Sequence, residues 1–105
     1  MSDIVCEREF NTTIDGVVRP ILVVWDRPQP DRHDWRCDYR IFWPGGEISA
    51  GCAYGVDSAQ ALVLSLYQVG GRLETADMPV RWLDNPENEL GLPSFSHEET
   101  TGDAP

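Results

Sequence analysis

The chain is predicted to fold as an α+β domain: a four-stranded, mostly antiparallel sheet in meander order with one helix packed on one face, in the order β-β-β-β-α. Three observations predict this. Residues Trp35–Trp43 alternate between apolar and polar with the two-residue period of a half-buried strand. Turn signals at Asp15-Gly16 and Pro44-Gly45-Gly46 separate short apolar runs. A helix start is written at Asp57, with Gln60 three residues later as the other half of a capping box.

The first strand covers residues 4–10, with Ile4, Cys6 and Phe10 on one side and Glu7 and Glu9 on the other. Asp15-Gly16 accepts the positive φ angles of a type I′ turn and leads into the apolar run Val17–Trp25. There Ile21, Val23 and Trp25 share one face and Leu22 and Val24 the other, the pattern of a strand covered on both sides, and Pro20 must sit where no ladder donor is needed. From Asp26 to Asp34 two prolines and a cluster of charges oppose regular structure, so a solvated, partly extended loop is expected. The third strand sets Trp35, Cys37, Tyr39, Ile41 and Trp43 against Arg36, Asp38, Arg40 and Phe42. The fourth, over 47–54, aligns Ile48, Ala50, Cys52 and Tyr54 on one face, with Gly51 as a candidate bulge.

In the helix, Ala59, Leu62, Leu66, Val69 and Leu73 form the stripe expected on the sheet, with Ala61, Ser65, Gln68 and Arg72 opposite. Gly70 either ends the helix or lets it run on to about Glu74 while passing close to the sheet; continuation is the reading adopted. Val80–Leu83 suits one short edge strand, ended by Asp84-Asn85-Pro86. The whole reads as one domain over residues 1–92. Residues 93–105 hold too little apolar area to repay the entropy of ordering and are expected to be an acidic, disordered tail.

In this chain of 105 residues, 18 acidic residues face 8 arginines and no lysine, a net charge of −10. Partners held through phosphates, nucleic acid and anionic membrane, are disfavoured; solubility is the plain consequence, and a basic protein partner fits the field. Cys6, Cys37 and Cys52 are odd in number and lack metal or disulfide spacing, which suits a reducing cytoplasm. No apolar leader and no run of about 18 apolar residues is present, so neither export nor membrane insertion is expected.

Several segments form an ordered set: Trp35-x-Cys37-x-Tyr39-x-Ile41, then Gly55-Val56-Asp57-Ser58-x-Gln60-Ala61-Leu62 with Leu66, Gly70 and Leu73, then Arg81-Trp82-Leu83 and Leu90-Gly91-Leu92-Pro93. Over roughly residues 17–93 this set resembles a family of small bacterial proteins known only as a domain of unknown function. The chain departs from that pattern at Val63-Leu64-Ser65, where a more polar helix face is usual, and at Leu92 in place of Phe. The resemblance implies an intracellular bacterial single-domain protein and carries over no catalytic residue.

No catalytic, cofactor or metal residue is assigned. Asp31, His33 and Asp34 have metal-ligand chemistry but lie in a loop that cannot preorganise them, and His97 has no visible partner. Cys37 falls among core positions, Cys52 is read likewise, and Cys6 is placed on the apolar side of its strand. Ser58 is not in a nucleophile elbow, and Gly45-Gly46 and Gly70-Gly71 are not phosphate cradles.

Aromatic and apolar surface beyond the reach of one helix is the more informative feature. Arg36, Arg40 and Phe42 on the sheet, Leu64 and Tyr67 on a helix flank, and the Asp26–Asp34 loop are the expected partner contacts. The function expected is therefore a non-catalytic protein-binding module of the bacterial cytoplasm, of immunity or antitoxin type, occluding a basic partner. Two alternatives stand beside it. One is a small-molecule-binding domain or small enzyme with an aromatic pocket under the 26–34 loop near Trp25, Trp35 and Trp43. The other is a structural homodimer. The outer sheet face could equally be covered by the segment after the helix, through Trp82, Leu83, Leu90 and Leu92.

Overall fold

A computed structural model describes residues 3–94. The sheet is built from β1 (Ile4–Ile14), β2 (Val17–Asp26), β3 (Gln29–Asp31), β4 (Asp34–Phe42) and β5 (Ile48–Gly55), and the helix is α1 (Ser58–Glu74). All pairings are antiparallel, so the expected α+β architecture and meander are present. At the first hairpin Asp15 and Gly16 both have positive φ, 51° and 80°, as the paired turn residues of a type I′ turn require. Pro20 lies opposite Asn11, whose own N–H and C=O bond outward to Arg81. The pairing of β2 with β4 begins only at Leu22, so the missing proline donor has no strand beside it to satisfy.

The 26–34 loop is the first correction. β3 lies within it and pairs with β4 from Gln29↔Arg36 to Asp31↔Asp34, closing a hairpin over Arg32 and His33, with Arg32 at φ 62°. β5 lines one edge of β4, and β2 and β3 share the other, end to end, so β3 resumes β2 after a break at Arg27-Pro28. Pro30 is tolerated within it because the strand is three residues long and paired on one side only. Gly51 is likewise no bulge, since the β4–β5 register is unbroken from Gly55 to Ile48. It makes room for its cross-strand neighbour: a Cβ there would stand 2.5 Å from the Tyr39 hydroxyl.

The helix begins as its sequence requires. Asp57 Oδ1 accepts from Gln60 N at 2.8 Å, and Gln60 Oε1 accepts in return from Val56 N at 2.7 Å, one residue beyond the cap itself. It continues through Gly70-Gly71 to Glu74. The buried seam, however, runs along Ala61, Ser65, Val69, Gly70 and Leu73; Ala59 is exposed, and Leu62 and Leu66 are half-buried beside the core. The cause lies in the sheet. Ser49, Gly51, Ala53 and Gly55 are the β5 residues turned towards α1, and at Gly55 a Cβ would come within 2.5 Å of Ala61 N. A helix that descends this far needs small residues at the contact, so Ala61 and Ser65 take the seam and the leucines pack at its flank.

Val80 and Leu90 are buried beside Phe10, Ile21, Val23 and Ile41, with Trp82 and Leu92 packed against the same cluster. The segment after α1 therefore lies on the helix side of the sheet, over β1 and β2, and not on the outer face. Only Arg81 of the expected edge strand pairs, in a single bridge to Asn11. Arg8 secures the segment: its guanidinium lies 3.9 Å from the Trp82 ring centroid and donates to Leu90 O and Gly91 O, each at 3.0 Å. Gly70 opens space for Pro93 O, 3.1 Å from where a Cβ would sit, so the close approach there is to this segment and not to the sheet. Pro93 is half-buried and Ser94 buried; the remainder of the expected tail, His97 included, lies outside the described residues.

Candidate functional site

The register defines the outer face residue by residue. Glu7 and Glu9 of β1 lie opposite Val24 and Leu22 of β2; these lie opposite Arg40 and Phe42 of β4, which lie opposite Ala50 and Ile48 of β5. Asp38 and Arg36 continue the face to Cys52 and Tyr54, and the β3–β4 hairpin adds Gln29, Asp31 and Asp34. Among the described residues no element covers this face. Leu22 and Phe42 are half-buried, Ile48 is 57% exposed and Tyr54 51% exposed, while Val24 is buried between its neighbours.

Its cations are already held. Arg40 Nη2 donates to Asp26 Oδ1 at 3.1 Å, and Arg40 Cζ lies 5.9 Å from the Phe42 ring centroid. Arg36 Nε is 3.2 Å from Asp38 Oδ1, and its Nη1 reaches Asp31 Oδ2 at 3.5 Å. Asp38 above all raises the pKa of the Arg36 guanidinium above its ordinary value; burial opposes it less strongly, and Asp31 adds a smaller rise. Among the described residues the face adds Glu7, Glu9 and Asp34 to these carboxylates and no further arginine, so the field around the apolar centre is acidic. A hydrogen bond with Cys52 that holds the neutral form pushes the exposed Tyr54 phenol up.

Of the expected partner contacts, Arg36, Arg40 and Phe42 are thus gathered on one surface. Leu64 and Tyr67 are half-buried on α1, which packs on the opposite face of the sheet. Two layers separate the sets, and one flat partner surface cannot touch both. Ile48 and Tyr54 are the members the sequence does not assign: alternation puts Ile48, Ala50, Cys52 and Tyr54 on one face but does not say which face of the sheet that is. Cys52 is accordingly half-buried on the outer face, and Cys6 is exposed, while Cys37 is buried as expected.

The 26–34 region does border a groove of about 620 Å³, lined by Val5, Pro28, Pro30, Trp35, Ala59 and Leu62 among others. Trp35 alone of the three tryptophans borders it: Trp25 is 2% exposed in the core, and Trp43 donates to Ser49 Oγ at 2.8 Å. A second cleft of about 420 Å³ is formed by Asp31, Arg32, His33, Asp34 and Tyr54. Among the described residues no three His, Cys, Asp or Glu side chains are grouped to hold a metal ion. No helix among them is long and apolar enough to cross a membrane.

A family model described as a domain of unknown function, DUF6968, matches residues 6–94. The chain belongs to that family. The DUF6968 match takes in the whole sheet beyond Val5, α1 and the segment that Arg8 secures. No curated protein and no solved structure matches the chain.

Proposed function

We propose that this DUF6968 chain is a non-catalytic protein-binding module of the bacterial cytoplasm that occupies and blocks a basic protein partner, as an immunity or antitoxin-type protein does. The supporting observation is the uncovered outer face: an apolar centre of Leu22, Phe42 and Ile48 surrounded by carboxylates that outnumber the arginines, whose charges are already paired. Such a face suits a partner presenting an apolar patch with lysines or arginines at its rim. The apolar centre supplies affinity and the acidic rim supplies orientation and encounter rate. Leu64 and Tyr67 are not part of this contact.

The test is affinity capture from bacterial lysate at low and at moderate salt, with wild type, Phe42→Asp and Leu64→Asp compared. One basic protein is expected in stoichiometric amount with wild type and Leu64→Asp, weakened by salt and absent with Phe42→Asp. Retention of the same protein by Phe42→Asp would overturn the reading. A small molecule that protects Trp35 fluorescence from quenching, with no protein captured, would move the function to the groove at Trp35.

A further inference from the structure

Besides the three-residue β3, the sheet has two long outer edges, and they differ in kind. Along β1 the edge carries Glu7, Arg8 and Glu9, shifts register between Ile4 and Cys6, and is bridged by Arg81 at Asn11. Charge, irregularity and cover are the devices that stop a further strand from adding. β5 has neither charge nor proline in Ile48–Gly55, and its register is regular throughout.

Its free hydrogen-bonding groups can be assigned. Trp43 N donates to Glu47 O at 2.8 Å, so by the alternation of an antiparallel ladder the odd-numbered residues of β5 turn their backbone groups to β4. The N–H and C=O groups of Ile48, Ala50, Cys52 and Tyr54 therefore point away from the sheet. Arg72 Nη1, reaching over from α1, meets Ala50 O at 3.4 Å, in agreement with that direction. This leaves the second lone pair of the carbonyl for another donor.

We propose that β5 is a self-association edge, where a second copy of this chain adds its own β5 antiparallel about a two-fold axis at Gly51. Ile48 then lies opposite Tyr54 of the second copy and Ala50 opposite Cys52, so the two most exposed apolar side chains of the strand cover each other on the outer face. One sequence satisfies every donor and acceptor of the other, as an isologous contact must. A second copy is the occupant because the strand itself carries no charge and is self-complementary in this register: the carboxylates that give each chain its net charge of −10 lie elsewhere, and the Arg72 guanidinium that reaches Ala50 O is the charge each copy must turn aside. One strand of eight residues buries less than the roughly 1,200 Å² of a tight complex, so the dimer is reversible. Ile48 belongs to both surfaces, but Phe42 lies on β4, away from the β5 edge, so Phe42→Asp tests the partner-binding reading and leaves the β5 pairing in place.

Sedimentation across protein concentrations from about 1 μM to about 1 mM tests it, with wild type, Ala50→Pro and Ala50→Lys compared and folding checked by circular dichroism. The wild type is expected to pass from monomer to dimer, with slowed amide exchange at Ile48, Ala50, Cys52 and Tyr54. Isotope-filtered contacts between Ile48 methyls and the Tyr54 ring of another molecule are expected in a mixed sample. Ala50→Lys, which keeps the backbone donor, and Ala50→Pro, which removes it, should both stay monomeric. A wild type monomeric throughout, a dimer that survives Ala50→Lys, or protection confined to β1 would overturn the proposal.

Discussion

Gly55 sets how closely helix and sheet approach. A methyl group there would meet Ala61 N at 2.5 Å and the Gln60 carbonyl carbon at 2.8 Å, both backbone atoms that cannot rotate aside. Gly55→Ala is expected to cost about 1–3 kcal/mol, seen as a lower urea midpoint at unchanged slope. The thiols divide by environment. Burial pushes Cys37 up, and a neighbouring carboxylate adds to this, whereas exposed Cys6 is raised by partial burial and lowered by Arg8. Alkylation followed by mass spectrometry should label Cys6 in the native protein and Cys37 only on unfolding. Tyr39, buried with its hydroxyl donating to Gln68 Oε1 at 2.9 Å, is also pushed up, by burial above all. Cys37 and Tyr39 therefore release protons more readily unfolded than folded. Their contribution is intact at neutral pH and is lost as pH climbs from the ordinary thiol and phenol ranges through the raised folded values. Unfolding midpoints should fall across that alkaline window, less steeply in Tyr39→Phe. Alternation in the sequence identified Cys37 and Tyr39 as core; it placed Cys52 there wrongly, because a face of Ile, Ala, Cys and Tyr looks inward until its neighbours are known.

At the scale of elements, what was legible is what is chemically local. The Asp57–Gln60 box needs only residues within one turn, and its start position is as the sequence reads; Asp57→Ala is expected to cost about 1 kcal/mol by thermal or urea unfolding. The Asp15-Gly16 hairpin is equally local. The helix seam is not, because the face α1 buries depends on the small residues β5 offers it, so the largest apolar stripe loses to Ala61 and Ser65. β3 is not legible either. Pro28 and Pro30 argue against a strand in isolation, and only the free stretch of β4 edge beyond β2 makes three paired residues worthwhile.

For the whole molecule, the decisive fact was where the segment after α1 goes. Its apolar residues predict that it covers something, but which face it covers depends on Arg8, a charged residue on the inner side of β1 with no periodic signature of that role. Arg8→Ala should release the segment without dissolving the rest: amide exchange at Arg81 and Asn88, bonded to Asn11 O and Val80 O, is expected to quicken while α1 and β4 keep their protection. The candidate face was legible through Arg36, Arg40 and Phe42, since strand alternation alone assigns them outward. Its being open was not, since that follows from the segment choosing the other side.

The contact of Arg8 with Leu90 and Gly91 joins positions more than eighty residues apart, whereas the hairpins between them close over short distances. As the chain emerges from the ribosome, the meander and α1 can assemble in order of synthesis, but β1 stays without its cover until the last of these residues has appeared. Glu7 and Glu9 on that strand then act first as guardians of a nascent edge, keeping neighbouring chains on one messenger from pairing there before Arg8 finds its carbonyls.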